Sequence, residues 1–186
     1  QGVSSAASDV YKRQELDIQC LVLKHTPKKF ETYEDEIQYL IGNEKRNKFI
    51  SRLSIDLKGN TLILYSRVES HGRILYDMIN NFVTNDRKVF FIHGGVDAED
   101  REKVREITEQ ENNAIIVASY GTFSTGINIR RLHNVIFASP SKSRVRNLQS
   151  IGRVLRKGKD KVKAKLYDIA DDLSLIHISE PTRQEA

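Results

Sequence analysis

Thr61-Leu-Ile-Leu-Tyr65 opens the stretch that decides the fold, and Val89-Phe-Phe-Ile92, Ala114-Ile-Ile-Val-Ala118 and Asn134-Val-Ile-Phe-Ala138 repeat its theme. Each run has four or five mostly apolar residues without strict alternation, the pattern of a strand covered on both faces. Between the first two runs, Ser70 to Val83 brings Ile74, Leu75, Met78, Ile79 and Phe82 round at helical spacing, with Ser70 placed to cap. Asp97 to Glu111 reads as a charged helix between the next two. Strands alternating with helices predict a parallel sheet with helices on both faces, a doubly wound α/β domain.

The flanks extend the pattern. Leu16 to Leu23 reads as a strand stopped by Lys24-His25-Thr26-Pro27. Thr32 is placed as an N-cap with Asp35 three residues on, ahead of Ile37, Leu40 and Ile41. A second helix, Glu44 to Lys58, sets Phe49, Ile50, Leu53 and Leu57 on one face and stops at Gly59. Downstream, Ser143 to Arg156 reads as a helix and Ala164 to Ile169 as a closing strand.

A chain of 186 residues with 30 Lys+Arg against 25 Asp+Glu, net +5, suits one domain and a polyanionic partner. No apolar run approaches the roughly 20 residues of a membrane span, so a soluble, cytoplasmic protein is expected, with no membrane partner. The single cysteine, Cys20, excludes an internal disulfide framework and a thiolate zinc site; no metal site is expected, and Cys20 reads as a small buried hydrophobe. Val3 to Gln14 and Ser174 to Arg183 resemble translated sequencing-adapter DNA, or else are natural disordered tails. Residues 1–14 and 174–186 are therefore set aside, leaving 15–173 as the domain, with the net charge unchanged at +5.

In such sheets ligands sit beyond the carboxyl ends of the strands. Four segments there bear on chemistry. Ser66 to Gly72 offers an anion site at a helix start, with Arg67 and His71 as donors. His93-Gly94-Gly95 lets the backbone approach a nucleic-acid strand closely, or simply makes a tight turn. Ser119 to Asn128 gathers small neutral donors suited to phosphate oxygens. Gln149, Arg153 and Arg156, four and three residues apart, share a helix face with Gly152 between them; two guanidinium forks there suit a nucleotide γ-phosphate, or form a solvated basic helix end before the lysines at 157, 159, 161, 163 and 165.

Taken in order, these segments resemble the second, C-terminal RecA-like domain of a superfamily 2 helicase, most nearly the phage UvsW recombination-helicase family. Tyr65 to Gly72 resembles motif IV, Ser119 to Ile129 resembles motif V, and Gln149 to Arg156 matches motif VI, Gln-x-x-Gly-Arg-x-x-Arg. The resemblance implies that Arg153 and Arg156 are arginine fingers reaching ATP and Mg²⁺ held by a first RecA-like domain, with Gln149 and Gly152 at the same cleft. It implies that Gly126 and Asn128 lie near ribose and phosphate, and that Ser119 and Thr122 touch the DNA backbone. Many relatives carry Asp where Asn128 stands. Neither a Gly-x-x-x-x-Gly-Lys-Ser/Thr phosphate loop nor an Asp-Glu-x-His or Asp-Glu-x-Asp motif occurs in this sequence, and Asp171-Asp172 lies too near the end of the domain to substitute. The expectation is the C-terminal motor half of a DNA helicase or translocase of recombination or repair type, inactive as an ATPase alone. The alternatives are an ATP-independent nucleic-acid-binding or regulatory module, and an α/β enzyme built on Cys20 or His93.

Overall fold

The computed structural model describes residues 17–84, 87–124, 129, 131–140 and 164–173. Six described strands form one sheet: β1 Asp17–Leu23, β2 Thr61–Tyr65, β3 Val89–Ile92, β4 Ile115–Ser119, β5 Asn134–Phe137 and β6 Lys165–Asp171. Their order across the sheet is β1-β6-β5-β2-β4-β3, and every neighbouring pair is parallel. The described helices are α1 Tyr33–Ile41, α2 Glu44–Asp56, α3 Arg73–Phe82, α4 Ala98–Gln110 and a single-turn α5, Tyr120–Ser124.

Side-chain alternation along the central strands creates two cores. Leu62 and Leu64, with Ile116, Ala118, Val135, Phe137 and Leu166, pack on one face, where Phe123 of α5 and Val104 of α4 meet them. Ile63 and Tyr65, with Ile115, Val117, Ile136, Tyr167 and Ile169, pack on the other against Ile50 of α2 and Leu75 and Ile79 of α3. A smaller cluster joins α1 through Ile37, Leu40 and Ile41 to Leu173. The doubly wound α/β reading of the sequence holds on this arrangement.

Local signals did much of the placing. Thr32 and Asp35 form the expected capping box: the Asp35 amide donates to Thr32 Oγ1 at 3.1 Å and the Thr32 amide to Asp35 Oδ2 at 3.2 Å. After α2 the chain turns through Gly59 at φ 93°, where a Cβ would lie 2.6 Å from the His133 ring, so glycine is required twice over. The next residue, Asn60, is buried and staples the amino ends of the strands. Its side-chain amide reaches the carbonyls of Thr108, Glu111 and Arg131, its Oδ1 accepts from the Ala114 amide, and its backbone N–H donates to His133 Nδ1.

Three expectations are corrected. Cys20 is exposed. It lies on β1, the edge strand, where Leu21 and Leu23 turn toward a core while Ile18, Cys20 and Val22 take the opposite face, with Ile18 and Val22 also exposed. Phe49 is exposed because Arg46, Ile50 and Ser54 occupy the buried face of α2, and Phe82 is exposed as the last residue of α3. Ser70 caps nothing. The chain enters α3 through a π-helical turn, Val68–Gly72, with no side-chain cap, closed by the Gly72 amide donating to the Arg67 carbonyl at 2.9 Å.

The carboxyl end of the sheet is held by a buried ion pair. Arg46 Nε donates to both carboxylate oxygens of Asp171, at 2.9 and 3.1 Å; Nη2 donates to Oδ2 at 3.0 Å, and Nη1 to the Ala138 carbonyl at 2.7 Å. His25 Nε2 meets Asp171 Oδ1 at 2.8 Å. Removing one partner of such a pair leaves a buried charge uncompensated and costs about 3–5 kcal/mol, whereas removing both is far milder. Arg46→Met and Asp171→Leu are each expected to lower unfolding stability by about that much. The double variant should lose clearly less than the sum, as read from urea denaturation midpoints.

Candidate functional site

Parallel registration brings three of the expected loops to one end of the sheet. Tyr65 pairs with Ser119 and Ile92 with Ala118, so the chain leaves β2, β4 and β3 at nearly the same level, and these strands are neighbours. Beyond β2 stands Ser66 to Gly72, beyond β3 His93 to Gly95, and beyond β4 Ser119 with α5.

In the first loop, the Arg67 guanidinium is partly exposed and clasps Glu34 of α1 through Nη2, at 2.6 and 2.7 Å from its two carboxylate oxygens. His71 departs from its expected place. It is fully buried rather than facing a ligand, and its Nδ1 lies 3.0 Å from Ser139 Oγ, which also accepts the Ser66 amide at 2.9 Å. His71 thus anchors the loop from beneath, joining the exits of β2 and β5. Burial, with Arg46 adding a smaller effect, pushes its pKa down to about 3, so the ring is neutral. The adjacent Gly72 sits flat on the Tyr65 ring; a Cβ there would fall 2.5 Å from it. Tyr65 in turn donates its hydroxyl to the Ile92 carbonyl at 3.0 Å, tying the first loop to the root of the second.

In the second loop, Gly94 and Gly95 are exposed, and a side chain at Gly94 would meet nothing within 4 Å, leaving an open backbone surface. The Gly95 amide donates to His93 Nδ1 at 3.1 Å. His93 packs its ring 5.2 Å from Phe91, and Phe91 stacks on Tyr65 at 5.7 Å and carries the Arg73 guanidinium 4.6 Å above its face. In the third, the Ser119 and Thr122 hydroxyls are 2.7 Å apart and the Thr122 amide approaches Ser119 Oγ at 3.3 Å, so what reads as a polar loop begins as a helical turn. Thr122 is buried and Ser119 half-buried.

Gly126, Asn128, Gln149, Gly152, Arg153 and Arg156 lie outside the described residues. Residues that sequence reasoning passed over are Ser139, Arg73, Arg46 and His25, and Asp171, weighed there only as a substitute acidic motif, is instead the buried partner of Arg46. Ser139 and Asp171 each follow or end an apolar strand, the only local signal available for them. No helix among the described residues is long and apolar enough to cross a membrane.

A parallel sheet with these loops at its carboxyl edge is the frame of a RecA-like helicase domain, and comparison with known proteins agrees: the chain belongs to the family described as helicase conserved C-terminal domain, which matches residues 44–158. It is 38% identical over 179 residues to the ATP-dependent DNA helicase uvsW of Enterobacteria phage T4, a match covering 92% of this chain and 35% of the relative. The crystal structure of T4 UvsW superposes with a TM-score of 0.75 at 40% identity, covering 86% of this chain and 33% of that one. Mss116p DEAD-box helicase domain 2, solved bound to an RNA duplex, shares the fold at 16% identity and a TM-score of 0.54, over 84% of this chain and 55% of that one. The chain thus spans about a third of the length of the curated relative it matches.

The buried neutral His71 makes stability depend on pH. Its folded pKa lies below the ordinary 6.5, so the unfolded chain takes up the proton first; this contribution is complete above pH 6.5 and is lost as pH falls toward 3. Between pH 7 and pH 5 the parent is expected to lose about 2 kcal/mol more stability than His71→Gln, at roughly 1.4 kcal/mol per pH unit below 6.5. Urea titrations at the two pH values check this difference.

Proposed function

We propose that the chain is the C-terminal motor half of an ATP-dependent DNA helicase or translocase of superfamily 2, of recombination or repair type. The observation that carries the reading is the level alignment of the three loops at the carboxyl ends of the adjacent strands β2, β4 and β3, in a chain of the helicase C-terminal family. Arg67, His93, the backbone amide of Gly94, and Ser119 offer donors along that edge to the phosphates of one DNA strand, and Gly95, its amide committed to His93 Nδ1, keeps the surface clear of side chains. His71 and Thr122 act from within, holding the loops. Such contacts grip a backbone and read no sequence.

Arg153, Arg156 and Gln149 supply guanidinium and amide donors that complement phosphate oxygens, and they bring no carboxylate for Mg²⁺. The nucleotide and its Mg²⁺ are accordingly held chiefly by a first RecA-like domain bearing the phosphate loop and acidic motif, with Gly126, Asn128 and Gly152 facing the shared cleft. When bound there, ATP supplies the phosphoryl transfer that powers the cycle. Arg153 and Arg156 stabilise the charge that spreads over the γ-phosphoryl oxygens, and domain closure shifts the backbone grip of the loops.

The test supplies a first RecA-like domain from a UvsW-type helicase, fused or in trans, and measures DNA-stimulated ATP hydrolysis. The 186-residue chain alone should be inactive and the pair active. Arg153→Ala and Arg156→Ala should each lower kcat about 10³-fold or more, the usual worth of an arginine finger. Parental turnover in both variants would reject the assignment. Salt-sensitive DNA binding without ATPase in any pairing would favour the binding-module alternative.

A further inference from the structure

Two clefts lie along the outer side of α2, lined by residues outside the loops described above. One, of about 510 Å³, is lined by Lys24, Tyr39, Lys45 and Phe49 among others; the second, of about 490 Å³, by Lys45, Phe49, Arg52 and Leu53. They share Lys45 and Phe49 and so form one groove. Lys45, Phe49 and Arg52 follow the helical spacing of one face. Phe49 is 37% exposed, an aromatic ring left open between cations.

Three cations in this groove are uncommitted. Lys24, Lys45 and Arg52 are exposed and make no ion pair among the described residues. Of the two carboxylates that line it, Glu44 is tied to Lys48 at 2.5 Å, and that contact holds its pKa below the ordinary value, while Asp56 is exposed at the far end of the second cleft, so Lys24, Lys45, Lys48 and Arg52 outnumber the carboxylates. Lys28 adds a further ammonium 4.7 Å over the Tyr39 ring at the groove's upper end. The positive character is thus local to the groove rather than spread by the modest net charge.

The groove also lies next to the proposed DNA path. Arg67, in the loop beyond β2, clasps Glu34 on α1, and five residues further along the same helix Tyr39 lines the groove. At 1.5 Å rise and 3.6 residues per turn that separation is roughly 7.5 Å along the helix axis and about 140° around it. A strand gripped at Arg67 would cross over α1 to enter.

We infer that the groove formed by Lys24, Lys45, Phe49 and Arg52 is a second nucleic-acid contact, taking a single-stranded segment that continues from the motor loops. The cations meet its phosphates, and the Phe49 face takes a base by stacking, which tolerates any sequence. This inference rests on the proposed DNA-binding function and extends it to a surface outside the four loop segments.

The test uses the full 186-residue chain, fluorescent oligothymidylates of increasing length, and binding measured by anisotropy over a series of salt concentrations. Lys24→Glu, Lys45→Glu and Arg52→Glu are combined, with Phe49→Ala as a separate variant; all four positions are exposed, and thermal melting checks that the fold survives. For oligonucleotides long enough to span both surfaces, the triple variant should lose on the order of tenfold in affinity, with the slope of log K against log salt shrinking by about 0.7 for each phosphate contact removed. Phe49→Ala should weaken binding without changing that slope. For the shortest oligonucleotides that bind, neither variant should differ from the parent. As a second readout, bound oligonucleotide should shield Lys24 and Lys45, but not the exposed Lys58, from amine acylation.

Unchanged affinity and slope in the triple variant, with Lys45 still acylated, would overturn the groove while leaving the loop contacts standing, provided Arg67→Ala weakens binding. Preferential binding of poly-glutamate over oligothymidylate at the groove would overturn it in favour of an acidic peptide. No oligonucleotide binding by the parent at any length would reject the DNA-binding reading itself, and the groove with it.

Discussion

The carboxyl end of the sheet is organised around one guanidinium. Arg46 is buried, and its bonds tie the helix that carries it, α2, to two further pieces of chain: the end of β6 at Asp171 and the carbonyl that follows β5 at Ala138. Through Asp171 it also holds His25 at the exit of β1. An isolated ion in such a place is strongly disfavoured, and what makes it tolerable is that all three guanidinium nitrogens donate, to a carboxylate and a carbonyl. The arrangement is therefore specific in a way that an apolar plug would not be: only one relative placement of α2, β5 and β6 satisfies it. It fixes the level at which the chain leaves β5.

A second set of polar ties carries that order across the sheet. Ser139, one residue beyond Ala138, holds the Ser66 amide and His71, and Tyr65 reaches from β2 to the Ile92 carbonyl at the end of β3. The opposite end of the sheet is closed by Asn60, and by Arg87, whose guanidinium reaches the carbonyls of Ile55, Leu57, Gly59 and Asn113. In a parallel sheet the strand ends leave backbone groups that the ladder cannot pair. Side chains answer that demand at both ends. At the amino end the bonds are nearly all to backbone and make a closed base; at the carboxyl end the Gly95 amide is taken by His93 Nδ1, and Gly94 beside it stays open. The same accounting that stabilises the sheet thus leaves its exposed backbone on the edge where a strand of nucleic acid is proposed to lie.

Much of the fold was legible because its signals are local. The six apolar runs, the Thr32–Asp35 capping box and the glycine stop after α2 each depend on residues within a few positions of one another, where periodicity and capping operate. The loops of the candidate site were legible for the same reason, as glycine- and hydroxyl-rich segments directly after strands. The role of His71 was not. A histidine after Ser70 reads as a donor at a helix start, and only the distant Ser139 and the π-helical turn draw it inward. Phe49 misread similarly: apolar spacing admits it to the core face of α2, but Arg46 takes that face to reach Asp171.

The sequence by itself determined the element types, the parallel α/β class and the strand-to-helix loops that carry the helicase motifs, since each follows from short-range pattern and backbone chemistry. Tertiary structure alone decided the strand order β1-β6-β5-β2-β4-β3, and with it which loops are neighbours and why Cys20 is exposed on an edge. It also decided that Asp171, which reads as one of two acidic residues near the end of the domain, is the buried partner of an arginine 125 residues earlier. The physical reason is the same in each case. Such pairings are selected by how completely distant groups satisfy one another once water is excluded, and no window along the chain contains both partners.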